Sequence, residues 1–490
     1  MRAYSLLIGF VSTFVTIRFL GAENYGVYAT ALIFYQGVLT LSTLGLGQTL
    51  VPTLTRAVDA EQPGRIAGLV VFGLKVTLLA ASFLIALTMA LSGPIGDEMG
   101  LPPGFPPVLA LMMVAGAVTA HRQILASYLR GTGRVAVVFA FTRGLRPTLL
   151  VIALGALWGV GALLPTLPRL LALTVAIVLL DASVFYVLWR WFRPTAAPER
   201  VGRDAKRHLA SVTYPVTIQR LKDVAQASTG RVLVAVLTHR LADVGFLTLA
   251  QKLASLVGFP RMMLAASFAP IASELHVQGR LGALRHAYRL TALLSLVGAS
   301  GLGLMLGLWG PTLLPVFGKG FDLTFTPLVI MAGSLLVGIL LGPAQATLVM
   351  TERTRVLGAL APFEFALNLG LGLLWIPDLG LLGAVYAGVA AAQLRHITLA
   401  GFLAWRTGIH AFGWPLIVWL GGMVAAGIGC WGITQALAGL PGVILATVVG
   451  LGWYLAHARN ILKSHGLSAR ELVRLPTGLR QARKPGVAAK

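Results

Sequence analysis

The chain has 490 residues, 57% of them hydrophobic and 11% charged, with a formal net charge of +23 at pH 7. So apolar a composition excludes a soluble domain of ordinary surface, and length therefore counts membrane spans rather than soluble domains. The single cysteine, Cys430, excludes an intramolecular disulfide and makes a cysteine metal cluster within one chain implausible; no metal and no cofactor is expected.

A transmembrane helix needs about 20 apolar residues, and the chain offers about fourteen such stretches. In order they cover 3–20, 26–55, 66–92, 105–130, 134–158, 168–192, 208–238, 243–273, 287–309, 325–350, 356–375, 380–405, 411–435 and 440–459. The first is interrupted by Arg18 and has a poor cleavage site at Leu20-Gly21-Ala22, so it reads as a helix and not as a signal peptide. The fold class expected is all-α and polytopic.

Lysines and arginines gather in every second loop: Arg56 and Arg65, Arg130 and Arg134, the run from Arg190 to Arg207, Arg280 to Arg289, Arg353 and Arg355, Arg406, and the tail from Arg459. The loops between them hold Glu23, Asp97 with Glu98, Arg169, Arg240 with Asp243, Lys319 with Asp322, Asp378, and no charge around Gly439. Basic loops stay cytoplasmic during insertion, which predicts both termini inside. Much of the positive charge then faces anionic headgroups, and nucleic acid is not expected as a partner.

The chain also resembles itself at an offset of about 220 residues. Gly26, Ala31 and Pro52 recur as Gly245, Ala250 and Pro270; Gly64-Arg65 recurs as Gly279-Arg280; Gly93-Pro94, Pro107 and Arg134-Val135 recur as Gly310-Pro311, Pro327 and Arg355-Val356. An even number of spans per copy gives both copies one orientation, as in parallel-repeat transporters. The expected organisation is a six-helix bundle over 1–193, a basic cytoplasmic linker over 194–207, and a second six-helix bundle over 208–406. Two additional helices over 407–460 and a basic cytoplasmic tail over 461–490 complete it. No zinc-ligand spacing, phosphate-cradling loop or nucleophile elbow appears, and no outer loop is long enough for a catalytic domain, so an enzyme is not expected.

Arg18-Phe-Leu-Gly21 followed by Tyr25-Gly26-Val-Tyr28-Ala29 resembles the opening of the polysaccharide transporters of the multidrug/oligosaccharidyl-lipid/polysaccharide exporter superfamily. The likeness continues through Val244-Gly245, Leu249 to Leu253, Ala269 to Ala272, Gly342-Pro343 to Met350-Thr351, and Asn368 through Ile376-Pro377 to Gly383-Ala384. What the resemblance implies is a flippase that turns undecaprenyl-pyrophosphate-linked oligosaccharide from the inner to the outer leaflet of the bacterial cytoplasmic membrane. Two departures stand out: Glu352 where the family often has Gly, and Gly230-Arg231 where an Asp-Arg pair is common.

The charged residues inside the spans give the candidate site. A basic residue at mid-bilayer costs about 2.5 to 3.5 kcal/mol on the lenient scale, so it faces water or a partner. The substrate-binding candidates are Arg143 and Arg146 on one helical face, Lys252, Arg18, Arg122, Arg220, Lys222, Arg231 and Arg261. A cationic, water-filled central cavity worked by alternating access suits a diphosphate, because guanidinium forks grip phosphate oxygens in pairs. It suits a cationic drug badly.

Other roles remain open for several of these residues. Arg18, Lys75 and Arg122 can snorkel to headgroups, and Arg220 can form an ion pair with Asp223. Lys252 and Arg261 lie on opposite faces of a straight helix, and reach one cavity only if Gly258 and Pro260 re-phase it. Glu364, Asp181 and Asp223 are candidates for coupling to a proton or sodium ion, with pairing to a basic neighbour as the alternative. Trp189, Trp191 and Trp405 fit an interfacial belt. The competing functions are an ion-coupled multidrug transporter of related fold and a polytopic polysaccharide polymerase or ligase.

Overall fold

A computed structural model describes residues 2–142, 146–159, 167–351, 353, 355–437 and 439–464, and every regular element in them is helical. The chain forms two compact units, one of residues 1–245 with 317–319, the other of 246–316 with 320–490. By compactness the division falls after Gly245.

The first unit opens with α1 (Arg2–Thr43), a single helix where two spans were expected. It bends at Gly21, whose φ of 71° and ψ of −179° lie where only glycine sits without strain. Glu23 and Asn24, which read in the sequence as a loop, stay exposed on the helix just beyond the bend. After Gly45 comes α2 (Leu46–Asp59), whose Leu46, Leu50, Leu54 and Ala57 recur at helical spacing and bury one face. That face packs on α3 (Pro63–Ala90) through Ile66, Leu69 and Val70, and on α5 (Phe105–Gly131) through Ile124, Leu125 and Leu129.

Short α4 (Ser92–Glu98) and α6 (Val135–Ala140) lead into α5 and α7 (Arg146–Gly159) respectively, and α8 (Leu167–Phe192) adds Phe185 to the same core. The unit also takes in α9 (Arg203–Thr238), whose Thr213 hydroxyl hydrogen-bonds Thr49 at 2.9 Å. Ahead of α9 the expected linker is docked: Glu199 N–H donates to Gly64 O at 3.0 Å, and a methyl at Gly68 would run into the Glu199 carbonyl oxygen.

The second unit runs from α10 (Leu241–Val257), whose first turns belong to the first unit, through α11 (Phe259–Val277). The two are bent by 49° at Gly258, next to Pro260. Then follow α12 (Leu281–Phe317), α13 (Phe325–Leu340), α14 (Ala344–Met350), α15 (Arg355–Leu379) and α16 (Leu381–Thr407). Their core joins Phe268, Leu284, Tyr288, Leu348, Leu399 and Leu403, and Tyr288 closes the α13–α14 turn by donating to Leu341 O at 2.7 Å.

The additional helices α17 (Trp414–Ala436) and α18 (Leu440–Ser464) pack on α12: buried Trp419 donates to the Ser300 hydroxyl at 3.2 Å, and Tyr454 to Val297 O at 2.6 Å. Large apolar side chains point outward on both units, among them Leu79, Phe83, Ile428 and Trp431. Hydrocarbon accepts such a surface and water does not.

Among the described residues nine helices are long and apolar enough to cross a membrane, or ten with the bent α10–α11 pair. Against the about fourteen expected spans, the stretch Leu7–Asp59 counts once although it bends at Gly21. The expected helices at 134–158, 208–238 and 380–405 fall short. The first is divided between α6 and α7, the second carries charges along α9, and the third contains Gln393, Arg395 and His396.

Two turns repeat their hydrogen bonds. Between α2 and α3, Glu61 N–H donates to Val58 O and Gln62 N–H to Ala57 O. Between α11 and α12, Gly279 N–H donates to His276 O and Arg280 N–H to Leu275 O, all four at 3.0 Å. Each is a Schellman-type close with a left-handed residue, Glu61 at φ 51° and Gly279 at φ 67°. A second such match joins Arg134 N–H to Leu129 O at 2.8 Å and Arg353 N–H to Leu348 O at 2.9 Å. Gly26 and Gly245 also meet reciprocally: a methyl on Gly26 would run into Leu241 O, and one on Gly245 would lie 3.0 Å from Ala22 O.

Candidate functional site

In the first unit, Arg122 of α5 reaches Asp181 of α8 with Nε 3.1 Å from Oδ2, both side chains largely buried at 12% and 6% exposure. Phe185, one turn beyond Asp181, lies under the same guanidinium at 5.1 Å. Two turns along α5, Arg130 donates to Gly47 O at 2.9 Å and to the Ser127 hydroxyl at 3.0 Å. The charges of Arg122 and of Arg220 on α9 both act on Arg130. Arg220 keeps a buried Nε–H without an acceptor.

The Arg220–Asp223 pair considered from the sequence does not form. Asp223 is exposed and contacts Lys222 at 3.6 Å, while Gln219 donates to it at 3.0 Å. Arg231 turns back onto its own helix, donating to Ala227 O at 3.1 Å. Arg18 is exposed on α1. Of these guanidiniums, Arg122 is the one paired with the buried carboxylate Asp181.

The second unit repeats the imbalance with other residues. Glu364 of α15, 4% exposed, lies 3.2 Å from Nε of Arg395 on α16, which is 24% exposed and also donates to the Gln345 side-chain oxygen at 3.3 Å. The charge of Arg395 acts on Arg261 of α11. On the same turn of α16, Gln393 donates to Ser334 O and Oγ, both at 2.6 Å. His396 keeps both ring nitrogens without a partner. It fits because Gly338 is bare, a methyl there standing 2.5 Å from Nδ1. Lys252 is exposed on α10.

Arg143 lies outside the described residues, as does Glu352; Arg146 opens α7, and its side chain is likewise outside them. Arg130, Arg395 and His396 were not among the sequence candidates. The signal for the latter two was present, a Gln-x-Arg-His string in mid-span, whereas Arg130 reads as an ordinary loop cation. Among the described residues no three His, Cys, Asp or Glu side chains come together as metal ligands.

Residues 1–276 match the model of a family described as polysaccharide biosynthesis protein. The chain belongs to that family. The fold is that of the MOP superfamily, as the sequence resemblance implied. The inward closed conformation of the lipid II flippase MurJ superposes with a TM-score of 0.71 at 11% identity, covering 94% of this chain and 98% of that one. An inward-facing multidrug resistance MATE transporter gives 0.68 at 14% identity, over 82% and 96%. A MOP transporter from Pyrococcus furiosus, described as having a binding pocket of reverse polarity, gives 0.57 at 12%, over 83% and 93%. No curated protein matches the chain significantly. This member of the polysaccharide biosynthesis family is therefore a multi-pass membrane protein with a transporter fold.

Proposed function

We propose that the protein is a flippase for undecaprenyl-pyrophosphate-linked oligosaccharide, moving it from the inner to the outer leaflet of the bacterial cytoplasmic membrane for surface polysaccharide biosynthesis. The observation that carries this reading is the surplus of guanidinium over carboxylate within membrane-embedded helices of a polysaccharide-biosynthesis family member. Among the described residues the two buried carboxylates each have an arginine, Asp181 with Arg122 and Glu364 with Arg395, yet Arg220 and Arg261 remain. Cations at that depth persist beside water or an anionic ligand. A diphosphate supplies that ligand, and a cationic drug does not.

Alternating access around a cationic central cavity is the mechanism assigned, with Arg143, Arg146 and Lys252 among the groups that hold the diphosphate. The carboxylates Asp181, Glu364 and Asp223 are the candidates for coupling to a proton or sodium ion. The parallel repeat of six helices is supported by the paired turns at Glu61 and Gly279 and by the Gly26–Gly245 approach. Both termini and the 194–207 segment are assigned to the cytoplasm. The test is transport of a lipid-linked oligosaccharide by the purified protein in proteoliposomes, with a cationic dye as the competing cargo.

A further inference from the structure

The ion pairs of the two units differ in kind. Arg122 and Asp181 are both sealed, at 12% and 6% exposure. In the second unit only Glu364 is sealed, at 4%, while Arg395 is 24% exposed and so is the partner that a ligand can reach. As with Arg122 Nε in the first unit, the 3.2 Å contact is not a hydrogen bond: Arg395 Nε–H is buried and finds no acceptor in line with it. An ion pair held by charge without directed hydrogen bonds forgoes the stronger part of what a guanidinium–carboxylate fork can give.

Arg261 of α11 has no hydrogen-bond or ion-pair partner among the described residues and lies within electrostatic reach of Arg395. The same turn of α16 leaves both His396 ring nitrogens buried without partners. Buried polar atoms left open in one place call for an occupant that is not protein.

We infer that Arg395 and Arg261 form an anion subsite for a diphosphate within the second unit, and that Glu364 occupies it as an internal competitor until the ligand displaces the carboxylate. The inference rests on the flippase reading for the identity of the anion. Two phosphoryl groups match two guanidiniums, and His396 supplies a further donor from the same turn. Glu364 then makes an empty site tolerable, since two uncompensated arginines in a membrane helix bundle would be costly.

The sign of the Glu364 effect separates this role from a structural one. Full-length protein in zwitterionic nanodiscs, titrated calorimetrically with farnesyl diphosphate, should bind about tenfold tighter as Glu364→Gln, because the competing charge is gone. Glu364→Asp should fall between the two. Arg395→Ala and Arg261→Ala should each bind about tenfold weaker, and Arg395→Lys, which keeps the charge and serves if the alanine variant fails to fold, should recover part of the loss.

Inorganic pyrophosphate giving the same order of variants supports recognition of the diphosphate itself. Phosphatidylglycerol nanodiscs that abolish farnesyl diphosphate binding would instead assign the subsite to bulk lipid headgroups and overturn the inference. A Glu364→Gln protein that binds farnesyl diphosphate no better than wild type overturns it as well, and leaves the flippase reading intact. Wild-type protein that binds no prenyl diphosphate at all removes both.

Discussion

At the scale of single residues the site is decided by charge balance. Asp181 is the carboxylate that offsets Arg122 in the first unit, so Asp181→Ala leaves a buried guanidinium without it and should cost about 3 kcal/mol or more. Thermal unfolding in detergent would show the loss as a lower Tm. The double variant Arg122→Met with Asp181→Leu should recover most of it, because an apolar pair removes both desolvation penalties. A double variant no more stable than the single one would argue that Arg122 matters for more than its charge. For the proposed diphosphate contacts, Arg143→Ala or Arg146→Ala should lower flipping about tenfold while membrane abundance holds, and lysine should rescue only partly. Normal flipping by the alanine variants would remove these two residues from the site and leave the fold untouched.

At the scale of elements the bare glycines set how close the helices come. Gly26→Ala would force α1 off the Leu241 carbonyl, so it should lower Tm more than Gly245→Ala, where the added methyl stands 3.0 Å from Ala22 O. Gly21→Ala should cost about 1–3 kcal/mol through its positive-φ, extended backbone alone, since open space surrounds it. Equal Tm for Gly26→Ala and Gly245→Ala would contradict the close crossing. Hydropathy made most helices legible in the sequence, and Gly26 with Gly245 stood out as a repeated pair. What it concealed was how helices break. Glu23 and Asn24 looked like a loop, but one glycine bend carries α1 past them. The Arg395–Glu364 pair was illegible because pairing between α15 and α16 depends on register, which spacing along one helix does not contain.

For the whole molecule, the proposed cytoplasmic place of the 194–207 segment rests on the charge bias in the loops. The lone Cys430 is buried, so a Cys430→Ala background suits labelling. A cysteine at exposed Arg200 should then react with an impermeant maleimide in inverted vesicles and not in intact cells; the opposite pattern would overturn the topology. The family and fold do not by themselves choose a cargo, since MOP transporters of this shape include multidrug proteins as well as a lipid flippase. The surplus of guanidinium is what supports the proposed lipid-linked cargo. The most direct measurement is a proteoliposome assay in which a fluorescent undecaprenyl-pyrophosphate-linked oligosaccharide starts in one leaflet and its arrival in the other is read with an impermeant quencher. Flipping well above protein-free liposomes, with a cationic dye neither carried nor competing, is the result predicted. Dye transport with no movement of the lipid-linked sugar would contradict the account.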